Sequence, residues 1–340
     1  MTKLLSGFFT LLFCIGHFSC TQQSETSDPP YQFKPFPFLE APPNTNERLC
    51  LEAAQPDLAE DTIFIDCAIE GESYIETTPQ DKNDLLVVAY NIERGFKAEE
   101  QLDALETIAP DILLLSEVDR GCDRTNNHQV AQIYAKKLKM SYVYAVEFVE
   151  LTRHEDGTHT SDCEHGNAIL SHYPIGNVQQ IRHATQESWF EAGESRLGGR
   201  IAIAADIQVG TEYVRVYAVH FESNIPEEPR NAQALEIAED GLNYPIPVVV
   251  GGDFNSGYLS LELELGGELD QTARQFTELG YYDAHQRLPL EERITAPTQE
   301  FILDLLMSHP QELANPGVGA GEIWDGLSDH RPVWGTLKLD

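Results

Sequence analysis

Basic residues are scarce in this chain: 22 Lys and Arg stand against 56 Asp and Glu, a formal net charge of −34. Affinity for DNA or RNA comes largely from Lys and Arg displacing counterions, and a field of this sign repels polyanions at long range. Non-specific nucleic-acid binding is therefore not expected, although a bound metal or a local basic patch can still admit one phosphate. No Cys-x-x-Cys spacing occurs, which argues against a structural zinc site. No internal repeat is visible. The most apolar run, residues 4–18, is shorter than the ~20 residues of a membrane-crossing helix.

That run has another use. It follows Lys3 and ends in Ser19-Cys20, after which a polar Thr/Gln/Ser stretch begins. The pattern predicts a signal peptide over 1–19. The small residue before Cys20 is similar to a bacterial lipoprotein signal, with His17-Phe18 as a departure from it. The chain is expected to be exported, either tethered to a membrane through lipidated Cys20 or secreted. Residues 20–48 are rich in Pro, Ser and Thr and read as an extended linker. Residues 49–83 read as an N-terminal extension with a strand at 62–67, and residues 84–340 as the main domain. Cys50, Cys67, Cys122 and Cys163 remain once Cys14 and Cys20 are set aside. An even number in an oxidising compartment suggests two bridges, with three possible connectivities. Cys50–Cys67 and Cys122–Cys163 are favoured because each would tie neighbouring loops.

The domain is organised around Val248-Val249-Val250-Gly251-Gly252-Asp253-Phe254-Asn255-Ser256. Three β-branched residues read as a buried strand, and the glycines allow a tight turn. Asp253 and Asn255, two apart on an extended chain, share a face at a strand end, where open α/β sheets bind ligands. A strand closed by an Asx turn is the plainer reading. The design repeats. Apolar strands lead to Asn91, Glu117 and His220, Asp304 interrupts the apolar run 301–306, and Asp329-His330 precede the last strand. Helical spacing intervenes at Leu102, Leu105, Ile108 and again at Val130, Tyr134, Leu138. Pro229 opens a third helix, on which Arg230 and Gln233 are neighbours. Residues 152–164, with His154, Asp156, His159, Asp162 and Glu164, read as a polar loop in which no spacing fixes several metal ligands together.

Read as chemistry, Asn91, Glu117 and Asp329 supply hard oxygen ligands, which suit Mg²⁺ with Mn²⁺ as the alternative. His220, His330, Asp253 and Asp304 supply proton transfer and charge stabilisation. The set fits hydrolysis of a phosphate ester.

The stretches Tyr90-Asn91-Ile92, Leu115-Ser116-Glu117-Val118, Gly166-Asn167-Ala168-Ile169-Leu170-Ser171, Val219-His220, Gly252-Asp253-Phe254-Asn255, Ile302-Leu303-Asp304 and Ser328-Asp329-His330-Arg331-Pro332-Val333 together resemble the endonuclease/exonuclease/phosphatase superfamily of metal-dependent phosphoesterases. They stand in the family's order across residues 84–340. The resemblance implies an α/β fold, a four-layer α/β/β/α sandwich of two mixed β-sheets flanked by helices. It implies Glu117 as main metal ligand, helped by Asn91 and Asp329. Asp253 would align or deprotonate the attacking water and Asn255 would hold a phosphate oxygen. His330, oriented by Asp304, would act on the phosphate or as acid–base, with His220 as the second histidine. Where the family presents an aromatic or acidic residue near Gly166, this chain offers Glu164, His165 and Asn167, of which Asn167 is favoured as the phosphate contact. A Cys122–Cys163 bridge would tie the loop after Glu117 to that strand.

The expected activity is metal-dependent hydrolysis of a small or lipid-derived phosphodiester or phosphomonoester by a monomer, with Arg200, Arg230 and Gln233 as substrate contacts. A lipid-directed enzyme should carry an exposed apolar hairpin, for which Trp189-Phe190 is a weak candidate. The alternatives are a nuclease and a non-catalytic binding module. Glu117, Asp253 and His330 are all in place, which argues against the last.

Overall fold

Alternating apolar residues of two sheets, interleaved, form the centre of this protein. The computed structural model describes residues 31–38, 67–77, 82–184, 189–190, 193–223, 227–258 and 271–339, and the described residues from Phe33 onward form one compact unit. The elements begin with β1 (Glu70–Ser73), β2 (Asp84–Arg94), α1 (Ala98–Ile108), β3 (Ile112–Arg120), α2 (Val130–Leu138), β4 (Ser141–Arg153) and β5 (His159–Ser171). They continue with β6 (Ile175–Arg182), β7 (Arg196–Gly198), β8 (Ile201–Val209), β9 (Glu212–His220), α3 (Glu228–Gly241) and β10 (Val248–Tyr258). The last are α4 (Thr272–Glu278), β11 (Tyr282–Asp283), β12 (Ile302–His309), β13 (Ala314–Val318) and β14 (Val333–Lys338).

Among the described residues, one sheet has the order β1-β4-β5-β3-β2-β14-β13 with β7 on β4, and the other the order β11-β12-β10-β9-β8-β6. Both are mixed: β2–β3 and β9–β10 pair in parallel, β2–β14 and β10–β12 antiparallel. Period two then sorts the side chains. Leu85, Val87 and Ala89 of β2, Ile112 and Leu114 of β3 and Val249 of β10 enter the core between the sheets. Val88, Tyr90 and Ile92 meet α1 and α2 in a second core, while Val248 and Val250 meet α3 and α4 in a third. The result is the expected α/β/β/α sandwich.

Some expectations fall differently. Gly251 and Gly252 make no turn, because β10 runs on to Tyr258. A Cβ on Gly251 would stand 2.9 Å from Ala89 of the facing sheet, and one on Gly252 2.0 Å from the Val219 carbonyl oxygen. Their role is close approach, not reversal. Residues 152–164 are not one loop: β4 and β5 continue through them as a hairpin, paired as far as Arg153 and His159. The N-terminal extension supplies β1 to the sheet edge, and part of the expected linker packs, since Phe36 N–H donates to the Ile175 carbonyl at 2.9 Å. Of the two bridges, Cys122–Cys163 is present with Cα atoms 4.8 Å apart. Cys20, Cys50 and most of the strand expected at 62–67 lie outside the described residues, and with Cys50 the Cys50–Cys67 pairing.

Candidate active site

The site is the polar continuation of the inter-sheet core. Residues 85, 87 and 89 of β2 enter that core, so Asn91, two further on, also points between the sheets. By the same parity β10 brings Asp253 inward after Val249, and β12 brings Asp304 inward beside Leu306. β9 brings His220 after Val216 and Ala218. The sheets meet at Asp253. Asn91 Nδ2 donates to its Oδ2 at 3.1 Å, and His220 Nε2 and His330 Nε2 stand 3.6 and 3.7 Å from the same oxygen. Asp253 Oδ1 accepts the Asn255 backbone N–H at 2.8 Å. The plain Asx turn and the catalytic reading are thus the same geometry.

Parity alone misplaces Glu117. Leu113 and Leu115 face the helices, and a regular strand would send Glu117 after them. A β-bulge between Leu115 and Val118, opposite β5, moves the alternation by one residue, so that Val118 takes the helix side and Glu117 turns inward. A second irregularity between Asn91 and Arg94 re-aims Glu93 and Arg94. Glu93, Arg94, Glu117 and Asn255 have φ of 47°, 64°, 54° and 46°, a left-handed backbone that costs an L-residue roughly 1–2 kcal/mol.

Burial by itself would raise the pKa of Glu117, but His165, His220, Arg94 and His330 around it outweigh that and hold it at about 2. Glu93 is pushed the other way, by burial and then by the carboxylates of Asp329 and Glu117. The Asp329 N–H donates to Glu93 Oε2 at 3.2 Å, and Asn91 Oδ1 accepts the Glu93 N–H at 3.1 Å. Four oxygen-bearing side chains are therefore neighbours at this strand end, with Arg94 and the histidines offsetting the charge of Glu117. That donor set fits a hard divalent cation, with Glu93 an addition to the expected Asn91, Glu117 and Asp329.

One histidine is fixed by a carboxylate and the other by an arginine. His330 Nδ1 is 2.7 Å from Asp304 Oδ2. Burial would depress the imidazolium, but Asp304 and Asp253 outweigh it and hold the His330 pKa well above the ordinary value. His220 Nδ1 is 2.9 Å from Arg200 Nη1 and 3.6 Å from Glu147 Oε2. Glu147 was not singled out in the sequence, yet Val143 and Ala145 precede it on the same inward parity. That period-two continuation was the available signal.

The residues expected to touch substrate are placed otherwise. Arg200 is buried and ion-paired with Glu147, with Glu222 at 3.9 Å. Arg230 donates to Thr272 Oγ1 at 3.0 Å and to the Glu222 carbonyl at 3.3 Å, and Gln233 Oε1 accepts the Glu222 N–H at 2.8 Å. All three brace the wall behind His220 because buried acids and backbone from other strands claim them. Asn167 donates to the Ile201 carbonyl at 3.0 Å. Glu164 turns away to Arg120, whereas His165 faces the site. Asn255, half-buried, donates to the Phe221 carbonyl at 2.9 Å. Trp189 and Phe190 make no exposed apolar hairpin among the described residues: Phe190 is buried and packs on His159.

A two-sheet sandwich whose inner strand ends gather carboxylates, amides and histidines is the architecture of a phosphoesterase-type hydrolase. The chain belongs to the endonuclease/exonuclease/phosphatase family, whose sequence model matches residues 88–330; its members are divalent-metal-dependent phosphoesterases and nucleases. Among relatives, it is 26% identical over 269 residues to the uncharacterized protein YbhP of Escherichia coli, covering 74% of this chain and 96% of that one. Among solved structures, it is similar to an endonuclease/exonuclease/phosphatase from Beutenbergia cavernae (TM-score 0.57, 18% identity, 76% of this chain and 72% of that one). It is also similar to the human Nocturnin catalytic domain (TM-score 0.52, 16% identity, 76% and 95%). These structural likenesses concern the fold.

Proposed function

We propose that this protein is an exported hydrolase of phosphate esters, in which water attacks in line a phosphate held at the Asp253 centre. The observation that carries the reading is the convergence on Asp253 Oδ2 of Asn91 Nδ2 at 3.1 Å, His220 Nε2 at 3.6 Å and His330 Nε2 at 3.7 Å. A carboxylate so placed can orient water and take its proton. Asn91 fixes the acceptor oxygen. His330, with Nδ1 turned to Asp304, presents Nε2–H to a phosphate oxygen or to the leaving group. His220 faces the same point from the opposite sheet edge. Asn255, at the rim, lies next to where a phosphate oxygen would rest. A Mg²⁺ or Mn²⁺ ion held by Glu117, Asn91 and Asp329 would supply charge neutralisation on the phosphate.

A small or lipid-derived phosphodiester or phosphomonoester is the favoured substrate. The net charge of −34 argues against broad DNA or RNA binding, which leaves a nuclease as the alternative and a non-catalytic binding module as the weaker one. Export, a tether through Cys20 and a monomeric state rest on the sequence alone.

The test is hydrolysis of an aryl phosphodiester with Mg²⁺ or Mn²⁺, repeated with EDTA and with Glu117→Ala and Asp253→Ala. Activity abolished in all three controls supports the reading. A folded, disulfide-intact protein inert toward that ester and toward DNA, nucleotides, sphingomyelin and inositol phosphates would overturn it in favour of the binding module.

A further inference from the structure

The floor of the site holds groups that this chemistry leaves unused. Glu147 is fully buried; Arg200 takes its Oε1, and its Oε2 has no hydrogen-bond partner. His220 Nδ1 stands 3.6 Å from that oxygen, too far for a hydrogen bond. A buried carboxylate oxygen in this state can accept a further ligand, a water or an ion.

His165 stands beside it. Its Nδ1 is 3.0 Å from Asp119 Oδ1, and Asp119 is itself gripped by Arg124 at 2.7 and 2.8 Å. The ring is also stacked on Phe148, with centroids 4.8 Å apart and planes 11° apart. Orientation is therefore set from two directions. With the Nδ1 proton on the Asp119 side, the Nε2 lone pair is left for a ligand. A carboxylate behind a histidine is the arrangement that orients metal-binding imidazoles.

One ligand atom from each of Glu147, His165 and His220 lies within 4.8 Å of the other two. Bonds of about 2.0–2.2 Å in a tetrahedral site place ligand atoms roughly 3.3–3.6 Å apart, so an inward shift of about 1 Å at most would bring all three to one ion. We propose that Glu147, His165 and His220 form a nitrogen-rich site for a borderline divalent metal, Zn²⁺, distinct from the all-oxygen centre at Glu117, with Asp119 positioning His165. Two imidazoles and one carboxylate suit such ions and not Mg²⁺. Arg200, now 2.9 Å from His220 Nδ1, would then give up that hydrogen bond and rest on Glu147 and Glu222. The same two histidines act on both Glu117 and Glu147, so the second ion would border the first.

The test needs no substrate and so is independent of the hydrolysis reading. The full chain, stripped with EDTA, is titrated calorimetrically with Zn²⁺ in excess Mg²⁺. Wild type and Glu117→Gln are expected to bind one equivalent, and His165→Gln and Asp119→Asn to bind it about 10–100-fold more weakly. Pulsed electron paramagnetic resonance of the protein loaded with one equivalent of Cu²⁺, a paramagnetic ion that imidazoles also hold, in excess Mg²⁺ is expected to show nitrogen modulation that falls in His165→Gln and persists in His330→Gln. Circular dichroism checks that each variant is folded. Zn²⁺ affinity unchanged in folded His165→Gln, or nitrogen modulation absent from wild type, overturns the proposal.

Discussion

Asp304 Oδ2 stands 2.7 Å from His330 Nδ1, and the far nitrogen of the same ring stands 3.7 Å from Asp253 Oδ2. One carboxylate thus aims the ring at another, across the mouth of the sandwich. Asp304→Asn keeps the shape but no longer holds Nδ1–H. We expect kcat on an aryl phosphodiester to fall by about 10²–10⁴-fold, with KM changed far less, since Asp304 reaches substrate only through His330. Steady-state kinetics on the folded variant checks this; an unchanged kcat would mean that the ring orientation is not used.

Gln233 separates bracing from substrate binding. Its Oε1 accepts the buried Glu222 N–H at 2.8 Å, and Gln233→Leu leaves that donor without a partner. The expected loss is about 1–3 kcal/mol of stability, read by urea denaturation, with KM nearly unchanged at a temperature where the variant is folded. A large rise in KM without loss of stability would return Gln233 to the role read from the sequence.

The Cys122–Cys163 bridge closes a chain separation of 41 residues and joins the segment after Glu117 to β5. Loop-closure entropy for that length is worth about 4 kcal/mol. Cys122→Ser with Cys163→Ser is expected to lose roughly 2–4 kcal/mol, measured as a shift of the denaturation midpoint. Added reductant is expected to lower the wild-type midpoint and to leave the double variant unmoved.

His285 predicts an acid sensitivity remote from the site. Its Nε2 faces the Gly317 and Trp334 carbonyls, each at 3.1 Å, so that nitrogen carries the proton and charging the ring must protonate buried Nδ1. Burial lowers its pKa from the ordinary histidine value, despite Asp283 at 3.9 Å. In the unfolded chain His285 titrates near the usual ~6.5. Below that pH the unfolded state binds a proton that the folded state refuses, and stability falls as pH is lowered. Melting temperatures between pH 7.5 and about 5 should decline, less steeply in His285→Gln. Equal slopes would exclude His285 as the cause.

Much of the site was legible because apolar strands carry their parity forward. Asn91, His220 and Asp253 each follow inward-facing residues of their own strand, so runs of Val and Ala locate the polar group that ends them. The four-layer architecture is what the family resemblance carried by those strand-end motifs implies. Glu117 was found by its motif; its inward direction was not readable, since the bulge between Leu115 and Val118 is a property of two paired strands. The internal partners of Arg200, Arg230 and Gln233 are not readable from the sequence, for a related reason. The groups that claim them, Glu147, Glu222 and Thr272, come from other segments, and sequence proximity says nothing of such partners. His165 was one of three competing residues near Gly166, and only the cross-strand pairing of Asp119 with His165 singles it out.

Glu93, Arg94, Glu117 and Asn255 occupy left-handed backbone, which glycine adopts with least strain. Glycine at any of them would relax roughly 1 kcal/mol of conformational strain and remove the chemistry in the same stroke. Tolerance to heat and competence to react are thus selected in opposite directions at these positions. A library of variants sorted for thermal robustness alone would be expected to enrich inert proteins there, while their folds improved.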